Sequence, residues 1–146
     1  MSEIADPFLH ALDAYRAAVR AKDVDAFLAI YDESLEVFDL WSEWSQQGLA
    51  ARREMAEEWF GSLGDEYVVV DIDEARSTRS EDLVVGRAIL TYTAYSPDGK
   101  AIRSLDNRIT LGLKRTGDAW KVFHEHTSAP VDHASGRAIL RREEVA

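Results

Sequence analysis

Gly117-Asp118-Ala119-Trp120-Lys121-Val122-Phe123-His124-Glu125-His126-Thr127-Ser128-Ala129-Pro130 is the stretch on which the fold turns. From Trp120 to Ser128 it reads as a β-strand, and strict alternation places Trp120, Val122, His124 and His126 on one face. Two imidazoles then stand side by side on a largely apolar surface. Imidazole switches between donor, acceptor and cation near neutral pH, so the pair suits a pocket for a polar or anionic ligand. It also suits a structural site in which hydroxyls or a carboxylate satisfy both rings, the more common reading of such a strand. The chain has no Cys and 4 His, and no ligand spacing marks His10, His133 or a carboxylate as a third zinc ligand. No metal is expected.

Working back from this strand, the sequence is nearly all β: Glu66 to Ala75, Asp82 to Tyr95 and Ile102 to Lys114 precede Ala119 to Ser128. Thr78-Arg79-Ser80, Pro97-Asp98-Gly99 and Thr116-Gly117-Asp118 separate them with turn-forming residues, and hairpin links make the sheet antiparallel. The first third is helical. Asp6-Pro7 starts a helix that runs to about Arg20, with Phe8, Leu12, Tyr15 and Val19 as its buried stripe. Asp23 caps a short second helix through Val24, Phe27, Leu28 and Tyr31, and Leu35 to Leu40 reads as a strand. An aromatic loop with Trp41 and Trp44 closes at Gly48, and a third helix runs from about Leu49 to Phe60. Helices first and a long meander afterwards give an α+β protein with three helices on one face of a curved, mainly antiparallel sheet.

Composition narrows the function classes. At 146 residues the chain fills one core, expected as a single domain over 1–130 with a polar tail over 131–146. The tail, with its Arg141-Arg142-Glu143-Glu144 run, reads as a solvated arm or a short packed helix without chemistry. A formal charge of −10 argues against a nucleic-acid partner, which needs clustered cations. No apolar run approaches the roughly 18 residues of a membrane span, and Met1-Ser2-Glu3-Ile4-Ala5-Asp6 lacks the pattern of a secretion signal. A cytoplasmic protein with no membrane partner is expected.

The element order, with Ala14-Tyr15-Arg16 before Lys22-Asp23-Val24-Asp25-Ala26-Phe27, resembles the nuclear-transport-factor-2-like superfamily over about residues 6 to 130. That superfamily includes ketosteroid isomerase and the SnoaL-like polyketide cyclases. The ending 117–130 is similar to the SnoaL-like branch that also contains the association domain of calcium/calmodulin-dependent kinase II. The resemblance implies a cone whose open end holds a pocket. It also implies roles: Tyr15 as an oxyanion-hole tyrosine, Asp39 as a proton-shuttling base and Asp106 as a second, protonated acid. Cofactor-independent isomerisation or cyclisation next to a carbonyl would follow. The association domain implies something else, because Arg108 resembles the strand arginine that it points into its pocket. Together with His124 and His126, that resemblance implies an anion-binding site in a non-catalytic ligand-binding or oligomerisation module.

Structural roles stand beside each of these. Tyr15 fits a core tyrosine, Asp39 a cap on the Trp loop, and Asp106 and Arg108 a mutual ion pair. Trp41, Trp59, Tyr92 and Tyr31 read as core or pocket wall around a small organic molecule, a carboxylate or a carbonyl compound. Arg52 and Arg53 read as surface residues, while the resemblance to the kinase association domain implies Arg53 as a pocket-border candidate. Ile109, Leu111 and Leu113 alternate with Arg108, Thr110 and Gly112, and Phe123 alternates with the histidines. The last strands are thus apolar on both faces and something should cover the second, for which the superfamily resemblance implies another copy in a homodimer.

Overall fold

The computed structural model describes residues 6–144, so the readings of Met1 to Ala5 and of the last two tail residues lie outside the described residues. The elements are α1 (Pro7–Ala21), α2 (Val24–Leu28), β1 (Tyr31–Phe38), β2 (Gln46–Gln47), α3 (Gly48–Ser62), β3 (Tyr67–Ser80), β4 (Leu83–Tyr95), β5 (Ala101–Thr116) and β6 (Ala119–Ser128). The strands form one sheet in the order β2-β1-β6-β5-β4-β3. It is antiparallel except where β1 lies parallel to β6, which places an N-terminal strand beside the C-terminal one. The α+β arrangement is the expected one.

Helix α1 begins where its chemistry dictates. The Asp6 carboxylate accepts the Leu9 amide at 3.1 Å, and Pro7 has no amide hydrogen to leave unpaired. Phe8, Leu12, Tyr15 and Val19 are all buried against the sheet. Phe8 requires a gap opposite, and Gly86 of β4 supplies it: a Cβ there would come within 2.2 Å of the Phe8 ring. Asp23 caps α2 in the same way through the Ala26 amide at 3.1 Å. Tyr31 is not part of α2, which ends at Leu28, and opens β1 instead. The turn expected at Thr78-Arg79-Ser80 falls later. Ser80 still pairs with Leu83, and Glu81, at φ 42°, makes the corner with Asp82.

Two features decide which face of the sheet each late residue occupies. On β5, Ile109, Leu111 and Leu113 point at the helices and are nearly inaccessible, while Arg108 and Thr110 point outward and are exposed. On β6 the register slips by one residue. Gly112 pairs with His124 while Leu113 pairs with Val122, so Phe123 is the extra residue of a β-bulge. Its ring covers Gly112, where a Cβ would lie 2.9 Å from it. Beyond the bulge the parity is reversed, and Glu125 and Thr127 are buried on the helix side whereas His126 is exposed. The strict alternation expected for this strand therefore fails at Phe123. The expected outer apolar column fails too, since Ile109, Leu111 and Leu113 belong to the core.

The tail packs back on the sheet. Val131 bridges Ala138, Ile139 donates its amide to Pro130, and the Asp106 amide donates to the Leu140 carbonyl at 2.7 Å. A short 3-10 turn follows at Arg142–Glu144. Residues 130–142 thus return along β5 where β6 has ended, and they satisfy backbone groups that the sheet leaves open.

Candidate functional site

Between α3, the Trp loop and the inner face of the sheet lies a cavity of about 1030 Å³. Its buried end is polar. Tyr15 of α1 and Tyr92 of β4 share a hydroxyl contact of 2.9 Å, with the Asn107 side chain beside Tyr92. Of the two phenolic hydrogens, one is used within the pair whichever ring donates, so one O–H remains for a ligand. Burial raises both phenols above their usual pKa, with the other phenol and Glu125 adding to it at Tyr15. Both remain protonated donors at neutral pH.

Beside this pair sits a buried ion pair. The Arg52 guanidinium of α3 meets the Glu125 carboxylate, and Arg52 and Glu125 are 2% and 3% exposed. Tyr31 completes the triangle, accepting from Arg52 at 2.8 Å and donating to Glu125 at 2.6 Å. Burial works against the arginine cation, but Glu125 and the Tyr31 phenol outweigh it and raise its pKa. At the open end Asp39 follows β1. Thr127 donates its hydroxyl to the Asp39 carboxylate at 2.9 Å and accepts the Leu40 amide at 3.1 Å, so β6 fixes the start of the Trp loop. Trp41, 49% exposed, and Trp59 flank this end.

Of the residues expected from sequence, Tyr15, Asp39, Trp41, Trp59 and Tyr92 line this cavity. Tyr31 stands behind its wall. The others lie elsewhere. His124 and His126 are on the outer face, edge-on to Phe38 with ring centroids 5.0 and 5.6 Å away, and His124 Nδ1 is 3.7 Å from Glu36. Arg108, also outside, donates from Nε to Ser128 at 3.0 Å. Arg53 is exposed and pairs with Asp25 at 3.1 Å. The cone encloses the apolar face of β5, and its polar cavity begins only where inward positions turn to Asn107, Leu105 and Arg103. The anion constellation of Arg108 and the two histidines is therefore outside the cone.

Asp106 is on the outer side as well, under the tail. Thr91 Oγ1 and the Arg142 amide each donate to its carboxylate at 2.7 Å, and the Arg141 and Arg142 guanidinium groups lie 3.9 Å away. Burial raises its pKa, but those donors and cations prevail and hold it below the usual carboxylate value of 3.8. It is an ion, not the neutral acid expected, and its partners are Arg141 and Arg142 rather than Arg108. A pKa lowered by folding stabilises the native state fully above the unfolded value, and the contribution is lost as pH falls through the folded value. Asp106→Asn will accordingly lower the urea midpoint at pH 7. The deficit relative to the unsubstituted protein will shrink only below pH 3.8, and urea titrations at stepped pH read it.

Sequence reasoning missed Arg52, Asn107, Glu125 and Thr127. Arg52 had a signal, since it falls four residues before Ala56 and eight before Phe60, the buried stripe of α3. Among the described residues no group of three or more His, Cys, Asp or Glu is placed to hold a metal ion, and no helix is long and apolar enough to cross a membrane.

Helices over a curved six-stranded sheet with a cavity at one end define a nuclear-transport-factor-2-like, cystatin-like α+β cone. Residues 9–132 match the SnoaL-like domain, and the chain belongs to that family. No curated protein matches it. Among solved structures, an NTF2-like protein of unknown function from Pseudomonas putida is 23% identical, with 91% of each chain covered and a TM-score of 0.78. ActVI-ORFA from Streptomyces coelicolor is 13% identical over 84% of this chain and 93% of its own, with a TM-score of 0.73. A Xanthomonas campestris protein provisionally described as a calcium/calmodulin-dependent protein kinase II association domain is 18% identical over 89% and 93%, with a TM-score of 0.68. At these identities the likeness is one of fold.

Proposed function

We propose that the cavity binds a small carbonyl-bearing organic molecule and moves a proton on the carbon next to the carbonyl, as in isomerisation or aldol-type cyclisation. The observation that carries this is the spare O–H of the Tyr15–Tyr92 pair in the same cavity that Asp39 lines. Asp39 would take the α-proton, and the electron pair would move onto the carbonyl oxygen as an enolate. The spare phenol would donate to that oxygen, and Asp39 would return the proton to another carbon. The chemistry uses the protein's own side chains. Its volume is at the upper end of the roughly 300–1,000 Å³ of small-molecule sites. The test is the rate of α-proton exchange catalysed by the protein compared with that of Asp39→Asn.

A non-catalytic binding or oligomerisation module is the second reading, and one observation favours it: Thr127 ties Asp39 into the wall, which suits a structural carboxylate. We also propose a homodimer through the outer sheet face, where Phe38, Leu83 and Val85 remain exposed. Light scattering is expected to give twice the 16.4 kDa of one chain, and a single-chain mass would refute the dimer.

A further inference from the structure

We infer that the cavity selects its ligand by charge, taking a molecule with a protonated amine over one with a carboxylate. This rests on reading the cavity as a ligand site. Five acidic side chains line it, Asp39, Glu43, Glu54, Glu58 and Glu125, against two basic ones, Arg52 and Arg103, which leaves three negative charges in excess. Both cations are already engaged. Arg52 meets Glu125, and Arg103 meets Glu66 at 2.8 Å. Asp39, Glu43, Glu54 and Glu58 have no cation partner among the described residues. A ligand entering past Trp41 thus crosses a field of uncompensated negative charge, on a chain whose net charge is −10.

Acids at a rim alone would be an ordinary solvated surface. A separate feature of the cavity points the same way. Asn107 and Gln46 line it, and Asn107 Oδ1 and Gln46 Oε1 are buried acceptors without a hydrogen-bond partner. Asn107 is 6% exposed, so bulk water does not readily serve it. An unpartnered buried acceptor calls for a donor from the ligand. Ammonium offers three N–H donors and no acceptor, whereas a carboxylate offers acceptors only. One unpartnered donor, Arg52 Nε, is left for a neutral ligand oxygen. Trp41 and Trp59 complete the match, because an indole face attracts a cation.

The experiment is calorimetric titration of the protein near neutral pH with three probes sharing one ring system: 1-naphthylmethylamine, 1-naphthylmethanol and 1-naphthoic acid. The amine is expected to bind about tenfold or more tighter than the acid, with the alcohol between them. The gap should narrow between about 20 and 300 mM salt, as screening shortens the reach of the rim carboxylates. It should also narrow in the surface variant Glu54→Gln/Glu58→Gln. Equal affinities, or preference for the acid, would overturn charge selection and leave the ligand cavity standing. Absence of binding by all three, the neutral alcohol included, would overturn the cavity as an aromatic ligand site and this inference with it.

Discussion

Arg52→Met will destabilise the protein by about 3–5 kcal/mol, the cost of leaving one partner of a buried ion pair uncompensated. In this variant the Glu125 carboxylate, 3% exposed, keeps only the Tyr31 hydroxyl. Glu125→Gln does the converse: the amide can still accept from Tyr31, but the guanidinium stays buried and unneutralised. Both single variants are read by urea denaturation at pH 7. The double variant Arg52→Met/Glu125→Leu should lose less than either single one, because paired charges offset little beyond their own desolvation. A single variant within about 1 kcal/mol of the unsubstituted protein would show that water reaches and screens the pair. The pair holds α3 to β6 across the cavity, so its value lies in shape as much as in stability. Arg52 also lies over the Tyr31 ring at 4.7 Å and the Phe27 ring at 5.0 Å. Lysine, without the planar fork, would not reproduce that arrangement.

The legibility of this chain divides at β6. The caps of α1 and α2 and the stripe of α1 could be read directly, because helix starts and amphipathic spacing are local. Local patterns also gave the four long strands to within a few residues, apart from β3, which runs five residues past Ala75. The site was half legible. Tyr15 and Asp39 sit where periodicity and strand end put them, but one bulge residue, Phe123, reversed the facing of everything after it. The sign of that bulge was present at Gly112, since a glycine inside a strand often marks a bulge or a close approach. Strand β5 misled for a different reason. Asp106 and Arg108 are the polar face of a half-buried strand, and polarity alone does not distinguish a pocket from the outside. Only a long-range contact, the tail returning over Asp106, assigns the face, and no local pattern announces it. The parallel pairing of β1 with β6, which brings Asp39 to Thr127, is likewise non-local.

Asp39→Asn is expected to slow α-proton exchange by about 10²–10⁴-fold while leaving ligand affinity within a few-fold, since proton transfer by a placed side chain typically contributes that much. The substitution keeps shape, and the Thr127 hydroxyl can donate to an amide oxygen as it does to the carboxylate. Exchange of an enolisable ketone in deuterium oxide, followed by proton NMR, needs no knowledge of the natural product. The phenol pair makes a sharper test. Tyr15→Phe leaves Tyr92 with its own O–H unspent, and Tyr92→Phe leaves that of Tyr15, so each single variant still offers one donor to an enolate. The double variant offers no phenolic donor, and its exchange rate should fall by about a further 10²-fold beyond either single change. If both phenols instead acted as independent donors, the single losses would multiply to the double one. Exchange by Asp39→Asn at the unsubstituted rate would eliminate it as the base. Binding without exchange above buffer in the unsubstituted protein would assign the cavity to capture rather than catalysis, with Asp39 then a wall residue held by Thr127.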